Sequence, residues 1–227
     1  MRSISHMKRF LQDNGLSIVL AAIFAVLFVG QSVAGMYQYN GEQQAHGDPS
    51  VTYTEYLTTP HFGEAVFENW ESEFLQMGAY ILLTLFFHQR GSAESNDPDE
   101  KVHLAADLAA HRDDPEAPGP VRRGGLQLVL YRYSLAIAFF VLFAGSFVGH
   151  ALAGLGEYNA QQLAHGEVPT TLAGYVGGSQ FWFESLQNWQ SEFLAVLAII
   201  ILSVWLRADG SPESKRVWEP HRKTGTA

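Results

Sequence analysis

The sequence predicts an all-α fold: a four-helix transmembrane bundle from a tandem parallel duplication of a two-helix unit, each with a helical extracytoplasmic segment. Two observations predict this fold class: four apolar blocks and an internal repeat. The blocks lie at 16–36, 74–87, 135–155 and 193–206 of the 227-residue chain. Two of them are about 21 residues long, enough for a helix to cross roughly 30 Å of hydrocarbon. Because a helix satisfies its own backbone hydrogen bonds, we expect these blocks to cross a membrane.

The repeat relates the two halves of the chain at a spacing of 119 residues. Residues 11–95 align with 130–214 without a gap, and 32 of the 85 aligned positions are identical. The motif N-W-x-S-E-F stands at 69–74 and 188–193, and A-H-G stands at 45–47 and 164–166. Such self-similarity indicates duplication. Since each copy holds two crossings, both copies should enter the membrane in the same sense, which is a parallel repeat.

The domain organisation follows from this alignment. Repeat unit one covers 10–95, with transmembrane helices at about 16–36 and 68–88 and an outer segment at 37–67. Repeat unit two covers 126–214, with helices at about 134–155 and 187–207 and an outer segment at 156–186. The acidic, Pro-containing stretch 96–125 is typical of a flexible cytoplasmic linker. The remaining residues, 215–227, are expected to form a mobile cytoplasmic tail.

Charge distribution predicts the orientation. All 14 Lys and Arg residues precede the first predicted helix, lie between the second and third, or follow the fourth. The two outer segments and the helix starts that follow them contain eleven acidic residues and no Lys or Arg. Basic residues mark the cytoplasmic side of short loops, so both termini are expected to be cytoplasmic, as in an inner-membrane protein with several crossings. An acidic outer face would attract cations and repel nucleic acid.

The N-W-x-S-E-F motif stands at the outer end of a crossing helix in both units. Blocks 74–87 and 193–206 span only about 21 Å, so each helix must begin earlier, near Glu68 and Gln187. Asn69 and Glu73, and likewise Asn188 and Glu192, then share a helix face at membrane depth. These four residues are candidates for an ion or proton site, because an intramembrane carboxylate is costly unless it is paired or hydrated. The alternative is a structural role at the headgroup boundary. Trp70 and Trp189 are predicted interface anchors.

The outer segments carry a second candidate polar cluster. It consists of three residue pairs that the repeat relates: Tyr39 and Tyr158, Asn40 and Asn159, His46 and His165. The histidines could bind a divalent metal together with nearby acids, or simply hydrogen-bond the backbone. Within the same segments, Thr52–Glu55 predicts a capping box, and Thr59-Pro60 predicts a helix start.

Several function classes lose support. The chain has no Cys, which removes thiolate metal sites, iron–sulfur clusters and a cysteine nucleophile. No nucleophile elbow, phosphate loop or H-E-x-x-H motif occurs, so we expect no enzyme activity and no cofactor. The expected partner is the lipid bilayer, without nucleic acid, and a homo-oligomer is compatible with the sequence. Two functions remain: a small cation- or proton-linked transporter or channel-like protein, or a non-catalytic membrane scaffold, such as a stress-associated protein.

Four motifs carry a family resemblance: D-N-G-L-S at 13–17, V-G-Q-S at 29–32, F-E-N-W-E-S-E-F-L-Q-M at 67–77 and G-S-A-E-S at 91–95. With them the chain resembles an uncharacterised bacterial integral-membrane family, named only as a domain of unknown function. The resemblance covers nearly the whole chain. It implies a multi-pass inner-membrane protein and implies no activity. Unit two departs from the long motif at Gln187 and Gln190, where unit one has Glu68 and Glu71. This departure weakens the case for a symmetric role of those two acids.

Overall fold

The computed structural model describes residues 9–99, 108 and 110–225, and the regular secondary structure within these ranges is helical. In chain order the helices are α1 (Gly15–His46), α2 (Tyr53–Tyr56), α3 (Pro60–Phe86), α4 (Gly119–Arg123), α5 (Gly125–Arg132), α6 (Ser134–Ala164), α7 (Leu172–Val176) and α8 (Ser179–Leu202). Residues 100–107 and 109 of the predicted flexible linker lie outside the described residues. The described part of the linker includes α4.

Three of these helices are long and apolar enough to cross a membrane, namely α1, α6 and α8. They contain 32, 31 and 24 residues, with mean hydropathies of 2.4, 2.1 and 1.3 over their most apolar windows. Little of each window is buried within the protein, which is the exposure that lipid-facing helices have. These helices indicate a membrane location. Helix α3, with 27 residues, is also long enough, but four glutamates lie in its first half, and a fourth crossing stays a prediction.

The helix starts in the predicted outer segments follow local capping chemistry. Thr52 and Glu55 form the predicted capping box at the start of α2. The Thr59 hydroxyl accepts from the Phe62 amide at 3.2 Å where α3 begins. Helix α3 starts at Pro60 after this cap, and α8 starts at Ser179 after Gly178, which makes no side-chain cap, so the predicted starts near Glu68 and Gln187 are wrong. A start inferred from membrane thickness ignores that the helix continues until a capping residue ends it.

The chain forms two compact units. The first combines Met1–Ala65 with Ala153–Thr170, and the second combines Val66–Leu152 with Thr171–Ala227. Each compact unit thus contains segments from both predicted repeat units.

The first compact unit is organised around Tyr56, which is 2% exposed. Its hydroxyl is 3.2 Å from His61 Nδ1, and its ring packs on Tyr39 with centroids 5.8 Å apart. The side chain also presses against Gly35 of α1, where an added Cβ would lie 2.2 Å from the Tyr56 hydroxyl. Only glycine fits such a close approach. Burial, together with the nearby Glu157 and Glu42 carboxylates, raises the pKa of Tyr56.

The second compact unit is built around Phe181, which is fully buried. Its ring packs edge-on against Phe147, with centroids 5.2 Å apart, and against Tyr175 at 5.5 Å. It also lies 4.8 Å from the ring of His150, tilted by 30°. Aromatic pairs in these geometries contribute about 0.5–1.5 kcal/mol each beyond the area they bury. This packing holds one side of the His150 ring.

The chain after α8 folds back instead of forming the predicted mobile tail. The Lys215 ammonium is 1% exposed and donates to the main-chain carbonyls of Gly91, Val204, His221 and Lys223. The Gly225 amide donates to the Ser92 carbonyl at 2.9 Å, and the Gly91 amide donates to the Thr224 hydroxyl at 3.0 Å. The prediction of mobility is wrong here because a lysine in a polar stretch can be held by carbonyls that lie far away in the sequence.

Candidate functional site

A buried imidazole lies between two carboxylates in the second compact unit. His150 on α6 is 0% exposed. Its Nδ1 lies 3.0 Å from Oε2 of Glu71 on α3, and its Nε2 lies 3.5 Å from Oε2 of Glu184 on α8. The Glu71 side chain is also fully buried, and that of Glu184 is 20% exposed. Three helices thus each contribute one ionisable side chain to a single point; these three residues are called the His–Glu triad below.

Each carboxylate of the triad is oriented by further donors. The second oxygen of Glu71 accepts from the Trp189 indole N–H at 3.0 Å. Glu184 accepts from the Tyr175 hydroxyl at 3.0 Å and from the Gln180 amide at 2.9 Å. These donors hold the acids with their oxygens directed at the ring, because a carboxylate that accepts several hydrogen bonds has little rotational freedom. The imidazole is therefore positioned by its surroundings on both sides.

Proton counting defines what the triad can do. A neutral imidazole has one N–H donor and one acceptor nitrogen, whereas an ionised carboxylate only accepts. The hydrogen bond between His150 Nδ1 and Glu71 therefore holds a proton that these two groups share. A second proton on Nε2, as in an imidazolium, would face Glu184 at 3.5 Å. A proton that enters the cluster thus has the imidazole and two carboxyl groups as acceptors.

Polar atoms around the triad extend it along α8. The Asn188 amide donates to a carboxylate oxygen of Glu68, whose charge also acts on His150. Ser185 is fully buried, and its hydroxyl oxygen has no hydrogen-bond partner among the described residues. The same holds for His150 Nε2, which is beyond ordinary hydrogen-bond distance of Glu184. Unpaired polar atoms in a buried cluster mark a place where water or an ion would be stabilised.

The predicted ion-site residues occupy a different face. Glu73 and Asn69 are exposed on α3, and Glu192 on α8 is half-buried. Glu73 and Glu192 are close enough for their carboxylates to interact electrostatically. Asn188 and Trp189 instead donate to the acids around His150. Of the four predicted residues, Asn188 therefore belongs to the buried cluster around His150. Asn69, Glu73 and Glu192 do not.

The two tryptophans of the motif differ in their contacts. Trp70 packs edge-on against Phe67, with ring centroids 6.0 Å apart. Trp189 packs against Phe143 at 6.2 Å and against Trp182 at the same distance. Since its indole N–H bonds a buried carboxylate, Trp189 does more than an interface anchor would.

The residues that form the triad occupy positions at which the two sequence halves differ. At the spacing of 119 residues, Glu71 faces Gln190, His150 faces Gln31 and Glu184 faces Ala65. Reasoning from symmetry therefore gave Glu71 little weight and offered no argument for His150. A usable sequence signal did exist, because His150 is an ionisable residue inside an apolar block, and such residues are functional candidates without any symmetry argument.

The outer polar cluster shows the same local geometry twice within the first compact unit. Asn40 exchanges two hydrogen bonds with the backbone of Val51, at 2.9 and 2.7 Å. Asn159 exchanges two with the backbone of Thr170, at 3.0 and 2.8 Å. The Tyr39 and Tyr158 hydroxyls each accept from the glutamine four residues later. His46 and His165 each bond a main-chain carbonyl four residues earlier, at 2.9 and 2.7 Å.

Comparison with known proteins gives one match. No curated protein and no solved structure matches this chain. The model of the family described as "Domain of unknown function (DUF6766)" matches residues 7–226. Because this match spans nearly all of the sequence, the chain belongs to that family of unknown function.

Proposed function

We propose that this protein is a small proton-linked transporter or channel-like protein of the bacterial inner membrane. The observation that carries the proposal is the His–Glu triad, which brings three ionisable side chains together from α3, α6 and α8. A charged group at membrane depth costs several kcal/mol unless it is paired, so such groups usually mark proton or ion pathways. The triad is paired yet keeps unsatisfied polar atoms beside it, which is the arrangement a proton-exchanging site needs.

The proton step itself requires little motion. If a proton arrives at Glu184, which is partly exposed, it can pass to His150 Nε2, and the ring can release its other proton from Nδ1 to Glu71. The ring would then return by rotation or by the reverse transfer. Such a relay uses groups already within 3.0 and 3.5 Å of one another. It would couple the protonation of the cluster to the packing of three helices.

The proposed topology has four crossings with both termini cytoplasmic, in a tandem parallel duplication. In this arrangement α3 is the second crossing in chain order, about 40 Å long at 1.5 Å per residue. The duplication draws support from the repeated hydrogen bonds of Asn40 and Asn159. Reporter fusions test the topology: fusions after Gln43 or Gln162 should read as extracytoplasmic, and a fusion at Glu100 should read as cytoplasmic. A cytoplasmic reading at Gln162 would refute the parallel repeat.

A specific observation favours a second function, a structural membrane scaffold. Trp189, Tyr175 and Gln180 donate to the two carboxylates so completely that the triad could act as a permanent clamp between α3, α6 and α8. Buried hydrogen-bonded ions can specify one packing arrangement instead of moving protons. The two functions differ in whether the shared proton exchanges with water.

Proton flux in reconstituted vesicles tests the proposal. The purified protein would be placed in liposomes with an internal pH-sensitive dye, and an acid pulse would be applied outside under a potassium–valinomycin clamp. We expect faster internal acidification than in protein-free liposomes. Glu71→Gln should reduce the flux at least tenfold, because an amide cannot hold the shared proton.

The matched control is Glu73→Gln, which makes the same chemical change on the same helix at an exposed position. Its flux should equal that of the wild type. If Glu71→Gln conducts as fast as Glu73→Gln, or if the wild type matches empty liposomes under every ion gradient applied, the transport proposal fails and the scaffold function remains.

A further inference from the structure

The first compact unit contains a second group of ionisable residues, around a cavity of about 350 Å³. Its lining combines two imidazoles with three carboxylates: His46, His165, Glu42, Asp48 and Glu157. No Lys or Arg occurs anywhere in 37–73 or 156–192, so no basic side chain of these segments neutralises the acids. A cavity of this composition is complementary to a cation.

The backbone holds both histidines in the same tautomer. His46 Nδ1 donates to the Glu42 carbonyl at 2.9 Å, and His165 Nδ1 donates to the Gln161 carbonyl at 2.7 Å. A carbonyl oxygen can only accept, so Nδ1 carries the hydrogen and Nε2 of each neutral ring keeps its lone pair. Metal-binding histidines are oriented in this way, with one nitrogen fixed by a carbonyl and the other on the ion.

The turn that follows each histidine is also the same. Gly47 and Gly166 have φ angles of 84° and 75°, in the left-handed region that ends a helix. Each histidine is thus the last side chain before a tight turn, which limits where its ring can lie. The two rings approach edge to face, with centroids 6.1 Å apart.

This separation fits one shared ion. Metal–nitrogen bonds of roughly 2.0–2.1 Å place each ring centre about 3.2 Å from the metal, so two imidazoles on one ion have centres roughly 4.5–6.4 Å apart. The observed 6.1 Å lies inside that range. Carboxylates also line the cavity, where Glu157 is nearly buried and Asp48 follows Gly47 directly. Imidazole with carboxylate is a donor set suited to zinc, nickel and cobalt ions.

We propose that this cavity binds one divalent transition-metal ion, with His46 and His165 as the two imidazole ligands. The site shares no residue with the His–Glu triad, and metal binding can be measured without any transport activity. The proposal therefore stands or fails independently of the proposed function.

Calorimetry with Zn²⁺ alone, on detergent-purified full-length protein without a histidine tag, tests the proposal. We expect one ion per chain to depend on both histidines, so that His46→Gln and His165→Gln each weaken binding at least tenfold. His88→Gln is the matched control, since it removes an imidazole that does not line this cavity, and it should leave the affinity unchanged. The proposal is overturned if the wild type has two weak sites, each lost with one histidine. It is also overturned if the wild type binds Zn²⁺ no more tightly than the His46→Gln/His165→Gln double variant.

A second measurement needs no variant and is independent of variant folding. Diethylpyrocarbonate modifies exposed imidazoles, and mass spectrometry would report the modification of each histidine with and without Zn²⁺. Zn²⁺ should protect His46 and His165 together and leave His88 reactive. Equal reactivity of His46 and His165 in both conditions would contradict the site.

Discussion

Replacing Glu71 by two different residues separates the hydrogen bonding of the His–Glu triad from its charge. Glu71 accepts from His150 Nδ1 and from Trp189 Nε1, each at 3.0 Å, and is fully buried. Glu71→Leu removes both acceptors. Hydrogen bonds between membrane helices contribute about 0.6–1.7 kcal/mol each, so the loss of two should cost about 1–3 kcal/mol. For a chain of this length, that corresponds to a fall of roughly 3–10 °C in the unfolding midpoint.

Glu71→Gln should cost much less, because the site can adapt to an amide. The amide oxygen would accept from Trp189, and the amide N–H would donate to Nδ1 once His150 carries its hydrogen on Nε2. That hydrogen then faces Glu184 Oε2. Because the amide keeps one hydrogen bond to Trp189 and one to His150, we expect a loss below about 1 kcal/mol. The assay is the fraction of folded protein after heating in detergent, measured by size-exclusion chromatography.

The control for both variants is Glu73→Leu, an apolar substitution at an exposed position of the same helix. It should change stability by less than about 0.5 kcal/mol. The reasoning is refuted if Glu71→Leu is as stable as Glu71→Gln, because the hydrogen bonds would then not be formed as described. It is also refuted if Glu73→Leu destabilises as much as Glu71→Leu.

Three further predictions concern the loops. Lys215→Met should release the chain after α8 and speed its hydrogen exchange, because four carbonyls lose their donor. Lys223→Met breaks one part-exposed ion pair and should change exchange little. Equal exchange in the two variants would contradict the role of the four Lys215 hydrogen bonds. Asn40→Ala and Asn159→Ala should each speed exchange in their own loop alone, since each side chain makes two bonds to one loop backbone; unchanged exchange in both loops would refute this. Burial and the neighbouring Glu213 raise the pKa of Glu94 above its ordinary 4.5. Protonated Glu94 therefore stabilises the fold at pH values below 4.5, and this stabilisation is lost as the pH rises through the pKa of the folded state. Unfolding measured from pH 4 to 8 should therefore show a smaller decline in Glu94→Gln, and an unchanged decline would argue against this.

Local chemistry made part of the fold predictable. Three of the four apolar blocks lie in helices that are long and apolar enough to cross a membrane, because burial in lipid requires an uninterrupted run of apolar residues in one segment. The capping box at Thr52–Glu55 was confirmed, because its partners lie three residues apart. The start of α3 at Pro60 also followed from the Thr59-Pro60 pair, although membrane thickness suggested a later start. These features depend on neighbours in the sequence.

The candidate site depended on neighbours in space and was harder to predict. His150 and Glu71 are 79 residues apart, and Trp189 and Glu71 are 118 apart. Symmetry favoured residues that both halves share, whereas the triad uses positions at which they differ. The fixed position of Lys215 was missed for a related reason, because its Gly91 partner lies 124 residues away. Composition alone cannot distinguish a mobile polar segment from one that is held by distant carbonyls.

The central claim is that the proton shared by the His–Glu triad exchanges with water. Solid-state ¹⁵N NMR of histidine-labelled protein in lipid bilayers tests it directly, with the His150 signals assigned by their absence in His150→Gln. Our account predicts a pH-dependent change in the ring-nitrogen signals of His150 and loss of their proton-attached intensity within minutes in D₂O. His150 signals that ignore pH and keep their protons in D₂O for days would contradict a proton-exchanging site and identify the triad as a sealed structural clamp.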